Sequence, residues 1–202
     1  MGIRGRDKAK KCKKLLDLIT FFWAIFPRKF RLSLYACFRE TSGSLGLAIR
    51  YTLIRTLAAS IGENVAIFPS VHITKFEYLK IGDNVSIQPM TYIDGFGGVN
   101  IGNNVSIAHM VTIMSTEHIF DNLDIPIKDQ GHVVKPVVIE DNVWIGSKAS
   151  ILKGVKIRSG CIVAASAVVT KSIQEENAIY AGCPAKLLRY RGANKAYNAF
   201  PE

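Results

Sequence analysis

Aliphatic residues recur every six positions along most of the chain, beginning at Ile61. Nine of them fall in three sets of three, and each set begins 20 residues after the one before. The in-phase residues are Ile61, Ile67, Ile73, Ile81, Ile87, Ile93, Ile101, Ile107, Ile113, Ile139, Ile145, Ile151, Ile157, Val163 and Val169. A period of six fits neither an α-helix nor a long alternating strand. It predicts short strands that are separated by tight turns.

A second series of small apolar residues lies four positions after the first: Val65, Val71, Val85, Val105, Val111, Val143, Ala149, Val155, Cys161 and Ala167. Gly and Asn often stand between the two series, and both suit turn positions with positive φ. Three such strands per coil make a triangular prism, and its inward aliphatic side chains form one core only when coils stack. The pattern therefore predicts a mainly β protein, a parallel β-helix, rather than a β-sandwich.

The repeat is interrupted between Ile113 and Ile139, which are 26 residues apart. This spacing predicts a loop of about 20 residues that leaves the prism at about 118–136. The loop contains His118 and His132 together with several carboxylates. Since a polar loop beside a rigid scaffold is a common place for a functional site, we expect the chemistry here.

Charge is unevenly distributed along the chain. Residues 1–60 hold 13 basic and three acidic residues, a net charge of +10, whereas residues 61–202 hold 13 of each. Hydrophobic residues make up 49% of the chain and charged residues 21%, which allows a sizeable core and excludes wholesale disorder. We predict a basic, amphipathic helical appendage at 1–60, a β-helix at 61–183 and a short C-terminal helical tail at 184–202.

The appendage has an apolar run at residues 15–26 that follows a cluster of lysines. The run is too short to span a membrane, and Asp17 and Arg28 argue against a signal peptide. Two interpretations of residues 9–38 stay open. Either one or two helices lie on an anionic membrane surface, or a helical hairpin packs on the β-helix or on a partner subunit. No nucleic-acid recognition motif accompanies the basic residues, so we expect no nucleic-acid partner.

A third helix is predicted at residues 45–58, where four apolar residues share one face and Arg50 and Arg55 lie elsewhere. The four are Leu45, Ile49, Leu53 and Leu57. Such a helix would cap the open end of the solenoid. The four cysteines show no CxxC spacing, which favours reduced thiols in a cytosolic protein.

The order of these elements resembles the hexapeptide-repeat acyltransferases, which fold as left-handed parallel β-helices. It is similar to sugar O-acetyltransferases such as the galactoside and maltose acetyltransferases. The segments that carry the resemblance are VSIAHMVTIMSTEHIF (105–120), VVIEDNVWIGSKASILKGVKI (137–157), GCIVAASAVVTKSI (160–173) and AIYAGCPAKLLRYR (178–191). The lead-in RYTLIRTLAASIGENV (50–65) looks more like acetyltransferases of capsule, exopolysaccharide or lipopolysaccharide clusters.

The resemblance implies a catalytic set. His118 matches the family's catalytic base, which takes the proton of an acceptor hydroxyl, and His109 is the reserve candidate. The backbone N–H of Ser147 matches the donor that faces the tetrahedral oxyanion. Acetyl-CoA is the implied acyl donor, and no metal is needed, because the histidines do not have the spacing of a zinc site such as that of a γ-type carbonic anhydrase.

The resemblance also implies binding residues. Those beside acetyl-CoA are Trp144, Gly146, Ser147, Ala165, Thr170, Lys171, Lys186 and Arg189, and Arg191 is a further candidate for the phosphates. Those beside the acceptor are Asp94, His109 and His132. Most of these have structural alternatives. Trp144 would serve trimer contacts, and Asp94 would start a turn.

The expected function is transfer of acetyl from acetyl-CoA to a sugar hydroxyl of a cell-envelope polysaccharide precursor, in a ternary complex. Two alternatives are acetylation of a small alcohol, such as an antibiotic or a free sugar, and a non-catalytic β-helix that binds a partner. The family's sites lie between subunits, so we expect a homotrimer. The acetyl donor implies a cytoplasmic protein, with a lipid-linked saccharide and the inner face of the cytoplasmic membrane as candidate partners.

Overall fold

The computed structural model describes residues 12–192, in which three helices precede a three-sided solenoid of parallel strands. The helices are α1 (Lys13–Ala24), α2 (Arg28–Phe38) and α3 (Gly43–Leu57). Sheet A consists of β1 (Ser60–Ile61), β4 (Leu79–Ile81), β7 (Val99–Ile101), β12 (Val137–Ile139) and β15 (Lys156–Ile157). Sheet C consists of β3 (His72–Thr74), β6 (Tyr92–Asp94), β9 (Thr112–Ile113), β14 (Ser150–Ile151) and β17 (Val168–Val169).

The remaining strands form sheet B and one hairpin. Sheet B consists of β2 (Ala66–Ile67), β5 (Ser86–Ile87), β8 (Ser106–Ile107), β13 (Trp144–Ile145), β16 (Ile162–Val163), β18 (Ala178–Ala181) and β19 (Lys186–Tyr190). The hairpin consists of β10 (Thr116–His118) and β11 (His132–Val134). Short 3₁₀ turns lie at Phe76–Tyr78 and Ile127–Asp129.

Strand register confirms the predicted period. Ile61 pairs with Ile81 and Ile81 with Ile101, so the first coils are 20 residues long. Ile139 pairs with Ile157, so the later coils have 18 residues. All the predicted inward positions of both series are buried except Ile61, which packs half-buried against the same core. Stacking therefore forms one continuous aliphatic core, as the repeat predicted.

The turn residues follow the prediction only in part. Asn64, Asn84, Asn104 and Asn142 do have positive φ, between 55° and 57°. The glycines beside them, such as Gly82, do not. A Cβ on Gly82 would lie 2.5 Å from Asn103 Oδ1 and 2.8 Å from the carbonyl of the next coil's glycine, so close stacking of coils explains this glycine.

Helix α3 caps the first coil, as predicted. Leu53 and Leu57 are buried and join the aliphatic core of the prism. The predicted face was wrong at two positions, because Leu45 is 69% exposed and Arg50 is fully buried. The Arg50 guanidinium donates to the carbonyls of Phe38 and Thr41, at the end of α2, and to Ile67 of β2. Helix-end carbonyls lack intrahelical partners, so they can accept hydrogen bonds from a buried guanidinium, although Nη2 of Arg50 has no partner within residues 12–192.

Helices α1 and α2 each pack on α3, which agrees with packing on the protein in the second interpretation of residues 9–38 and leaves the membrane interpretation of their outer surface untested. Pro27 separates the two helices. Tyr35 of α2 is buried, and its hydroxyl donates to the Val71 carbonyl at 2.9 Å. Within residues 12–192, no helix has the length and apolar character needed to cross a membrane.

The predicted helical tail is wrong for residues 184–192, and residues 193–202 and 1–11 lie outside the described part. Strand β19 returns antiparallel along β18, after a turn in which Gly182 has positive φ. This pairing extends sheet B with one more strand, because β18 would otherwise leave its backbone groups without partners at the sheet edge. Cys12, Cys37, Cys161 and Cys183 form no disulfide in the structure.

Candidate functional site

The interrupting loop leaves the prism at the corner between sheets C and A, which we call the hairpin corner. The chain departs after β9 and returns at β12. In the two preceding coils the same corner holds only short turns, at 75–78 and 95–98. Strands β10 and β11 pair antiparallel and form the stem of the loop. The loop therefore starts two residues before the predicted position 118. It consists of this two-stranded stem and a tip, residues 119–131, that carries both polar and apolar side chains.

The stem places two of the predicted site residues side by side. His118 lies directly opposite His132, and their ring centroids are 4.3 Å apart with the planes at 43°. The Ile119 N–H donates to the Gly131 carbonyl at 3.1 Å, so the histidines occupy the adjacent, non-hydrogen-bonded pair. Side chains approach most closely at such pairs. Both imidazoles are exposed and thus accessible to an acceptor.

Asp94 lies beneath this stem rather than on its surface. Only 6% of the residue is exposed. Its carboxylate accepts hydrogen bonds from the Thr116 hydroxyl at 2.6 Å, the Thr74 hydroxyl at 3.1 Å and the Phe96 N–H at 3.2 Å. Burial alone would raise the pKa of Asp94, but these hydrogen bonds outweigh it and hold the pKa below its ordinary value. Thr116 stands two residues before His118, so the carboxylate anchors the strand that carries the histidine.

A second anchor follows one residue later. Glu117 forms an ion pair with Lys153, which lies in the next coil at the same corner. The Ser115 carbonyl also accepts the Lys135 N–H at 3.0 Å, which holds the two ends of the loop together. The stem is therefore attached to the prism on both sides of its base.

A different set of predicted residues lies at the corner between sheets B and C, which we call the open-amide corner. His109, Ser147 and Ala165 occupy equivalent positions there in successive coils. None of their backbone N–H groups donates to an acceptor within residues 12–192. In the first two coils the same position is Pro69 and Pro89, which have no N–H. The corner thus presents a ladder of unpaired donors.

Gly146 keeps one of these donors accessible. It has no positive φ. A Cβ on Gly146 would lie 2.5 Å from the backbone nitrogen of Ala165 and 2.8 Å from the carbonyl carbon of Ala164. A larger residue would therefore displace the coil and cover the Ala165 amide.

The remaining predicted residues are distributed over both corners and sheet B. Trp144 is 52% exposed on sheet B, beside an open groove that is also lined by Ser106, Ile162 and Arg191. Arg191 donates to the Gly160 carbonyl at 2.7 Å. Lys186 and Arg189 lie on β19. Thr170 and Lys171 are exposed at the hairpin corner, two coils beyond the stem.

One chain does not bring the two corners together. A strand of sheet C separates them, and the path from Ser147 to Leu152 spans about 16 Å at the usual rise of an extended chain. The stem stays at its own corner because Asp94 and Lys153 hold it there. Sequence reasoning missed both anchors. The two prolines at equivalent positions were the signal that could have revealed the unpaired amides.

Within residues 12–192, no three histidine, cysteine or carboxylate side chains lie close enough to hold a metal ion. The cysteines and the other histidines are dispersed over the prism and the helices. The histidine pair of the stem therefore has no third protein ligand of this kind among the described residues of one chain.

Comparisons with known proteins agree with this architecture. Residues 136–171 match the family model described as bacterial transferase hexapeptide (six repeats). A probable acetyltransferase of Mycobacterium tuberculosis is 40% identical over 79 residues, which are 39% of this chain and 26% of that protein. The chain thus spans about a quarter of the length of the curated relatives it matches.

Two solved structures are similar over most of the chain. One is a hexapeptide-repeat acetyltransferase of Vibrio cholerae complexed with acetyl-CoA, with 27% identity, a TM-score of 0.60, and coverage of 81% of this chain and 86% of that one. The other is a galactoside acetyltransferase in complex with coenzyme A, with 26% identity, a TM-score of 0.62, and coverage of 81% and 80%. The fold is the left-handed parallel β-helix. Residues 136–171 thus match the hexapeptide-repeat transferase family, and the similar solved structures share the fold of the chain.

Proposed function

We propose that the protein is an acetyl-CoA-dependent O-acetyltransferase that modifies a sugar hydroxyl of a cell-envelope polysaccharide precursor. The observation that carries the proposal is the pairing of an exposed histidine stem with a ladder of unpaired backbone amides on the same prism. A base and an oxyanion donor are the two groups that acyl transfer to an alcohol requires. The Vibrio cholerae relative with bound acetyl-CoA supports the choice of donor.

In the proposed reaction, Nε2 or Nδ1 of His118 accepts the proton of the acceptor hydroxyl as its oxygen attacks the thioester carbonyl. The Ser147 N–H donates to the oxyanion of the tetrahedral intermediate. Collapse of this intermediate breaks the carbon–sulfur bond, and the imidazolium returns its proton to the departing thiolate. The products are the acetyl ester and free coenzyme A, and no covalent enzyme intermediate forms.

The proposed donor site uses the open-amide corner together with cations of β19 and of the hairpin corner, two coils beyond the stem. The Ala165 N–H, which Gly146 leaves accessible, would donate to a carbonyl of the pantetheine arm. Trp144 offers an exposed aromatic surface beside it. Lys171, Lys186 and Arg189, joined by Thr170, would face the nucleotide and its phosphates.

The separation of the two corners favours a site between copies of the chain. His118 of one copy and Ser147 of its neighbour would complete one set, and a closed ring of three copies would contain three such sites. We therefore propose a homotrimer. His109 and His132 are proposed contacts for the acceptor. A direct contact between Asp94 and the acceptor stays a prediction, because its carboxylate already accepts four hydrogen bonds in the structure.

The proposed acceptor is a saccharide, free or linked to lipid, and the proposed location is the cytoplasm at the inner face of the membrane, where acetyl-CoA is available. The galactoside acetyltransferase with a similar fold supports a sugar acceptor. The similarity to the acetyltransferases of capsule, exopolysaccharide and lipopolysaccharide clusters in residues 50–65 supports a polysaccharide precursor.

The test is release of free thiol from acetyl-CoA across a panel of sugars, nucleotide sugars, amino sugars and lipid-linked saccharides. We expect sugar-dependent release, and His118→Ala should lower it by about 10²–10⁴-fold. His72→Ala is the matched control, since His72 is also exposed and stacked on an aromatic ring but lies in the first coil. If an amine or a small alcohol is the preferred acceptor, the proposed sugar acceptor is wrong. If no member of the panel causes thiol release, a non-catalytic β-helix is favoured.

A further inference from the structure

Helix α1 has an exposed apolar face. Leu15, Leu18, Phe22 and Ile25 follow a spacing that places them on one side of the helix. All four are at least half exposed, and Phe21 beside them is 69% exposed. No residue of α1 is fully buried. We call these five residues the α1 face.

The opposite side of α1 is fastened to α3. The Arg55 guanidinium forms an ion pair with the Asp17 carboxylate at 2.5 Å. The Trp23 indole N–H donates to the Thr52 hydroxyl at 3.1 Å. Because α3 inserts Leu53 into the aliphatic core, the orientation of α1 is set by the whole prism. The helix therefore presents the α1 face outward and cannot bury it by rotating.

Charge identifies the occupant of this face. All of the chain's net charge of +10 resides in residues 1–60. Lys14 on α1 and Lys29 in the first turn of α2 are exposed and form no ion pair within residues 12–192. Apposition of the α1 faces of two copies would bring two such basic segments together, which repulsion disfavours. An anionic lipid surface has the complementary charge and accepts apolar side chains.

Length determines how the helix meets the bilayer. The 12 residues of α1 extend about 18 Å, well short of the roughly 30 Å hydrocarbon core. The helix can therefore lie in the interface but cannot cross it.

We propose that the α1 face docks the protein on an anionic lipid bilayer, with the helix axis parallel to the membrane plane. The five apolar side chains enter the boundary between head groups and acyl chains, and the adjacent lysines contact anionic head groups. The proposal rests on the geometry and charge of the appendage and stands independently of the proposed reaction. It would bring the prism close to a lipid-linked acceptor.

The test is sedimentation of the full chain with vesicles of phosphatidylcholine alone or mixed with phosphatidylglycerol. We expect binding to the anionic vesicles that weakens as salt is raised, and about a tenfold or greater loss of binding in the double variant Leu18→Ser/Phe22→Ser. Leu45→Ser is the matched control, because Leu45 is equally exposed on α3 but lies off the α1 face.

Unchanged vesicle binding in the double variant would overturn the proposal, and so would equal binding to neutral vesicles at all salt concentrations. Analytical ultracentrifugation without lipid gives a further check. If the double variant there becomes a smaller assembly than wild type, the α1 face is a contact between copies. Thermal unfolding of each variant verifies folding, and thiol release in solution reports the proposed reaction separately, so the two proposals fail independently.

Discussion

The two corners of the prism are made in opposite ways. The open-amide corner is a product of the repeat, because the same turn recurs from coil to coil and leaves the N–H groups of His109, Ser147 and Ala165 without an acceptor within residues 12–192. The hairpin corner is a product of the interruption, where a stem leaves the coil and is held by polar anchors. A regular solenoid can thus provide identical donors in register, whereas a side chain that moves a proton has to be brought by an irregular segment.

The largest expected effect comes from Ser147, where two variants distinguish the role of the backbone N–H from that of the side chain. Ser147→Pro removes the N–H, and the prolines at the equivalent positions of the first two coils indicate that the fold accepts this residue. We expect kcat to fall by about 10²–10³-fold with little change in thermal unfolding. Ser147→Ala keeps the N–H and should remain active. Steady-state thiol release decides, and an active Ser147→Pro variant would assign the oxyanion donor elsewhere.

Mixed oligomers test whether the two corners meet across copies. His118→Ala and Ser147→Pro subunits, each nearly inactive alone, are co-expressed with different affinity tags and purified by both tags. Every trimer that carries both tags joins an intact hairpin corner to an intact open-amide corner at one of its three sites, so about a third of wild-type activity should return. The separately purified parents, mixed without exchange, serve as control. If the mixed oligomers are as inactive as the parents, the His118 side chain and the Ser147 N–H act within the same copy.

The stem anchors should differ in importance. Asp94→Asn removes the charge that holds Thr116 in a buried setting, and we expect kcat to fall by about 10–10²-fold, with KM for acetyl-CoA unchanged, because His118 loses its position. Glu117→Gln breaks an ion pair that is partly exposed, and its effect should be about twofold or less. An equal loss in both variants, or a loss confined to KM for the acceptor, would assign Asp94 to direct acceptor binding instead.

The smallest effect concerns acid stability. The pKa of Asp94 is lowered in the folded protein, so its stabilising contribution is fully present above the ordinary aspartate pKa and is lost as pH falls through the lowered folded value. The difference in unfolding temperature between wild type and Asp94→Asn should therefore be constant near neutral pH and shrink below pH of about 3.9. Thermal unfolding followed by circular dichroism measures it. A difference that grows on acidification would contradict the anchoring role.

The sequence predicted the prism well because the hexapeptide period is a local signal that repeats. Each in-phase residue, such as Ile87 or Ile145, faces the same environment, so one rule locates all of them. The sequence predicted that the repeat glycines serve turns with positive φ, but Gly82 and Gly146 do not have positive φ. They are needed because one coil approaches the next too closely for a Cβ. This close approach depends on the neighbouring coil, so the local sequence around each glycine does not reveal it.

The non-repeating parts were harder to predict because long-range contacts decide them. Arg50 lies on a helix that looked amphipathic with its charges outward, yet the guanidinium is buried against carbonyls from α2 and β2. The C-terminal tail was predicted to be helical, but residues 186–190 form β19, because the free edge of β18 offers backbone hydrogen-bond partners. In both cases hydrogen-bond groups from distant segments outweighed the local preference.

By itself, the sequence determined the stacked prism, the capping helix, the position of the loop and the identity of the histidine that we propose as base. The tertiary structure alone decided that His118 faces His132, that Asp94 and Lys153 fasten the stem, and that the unpaired amides lie at a different corner. The physical reason is that a repeat encodes burial locally and many times over. A site is encoded once, by contacts between residues that lie far apart in the chain.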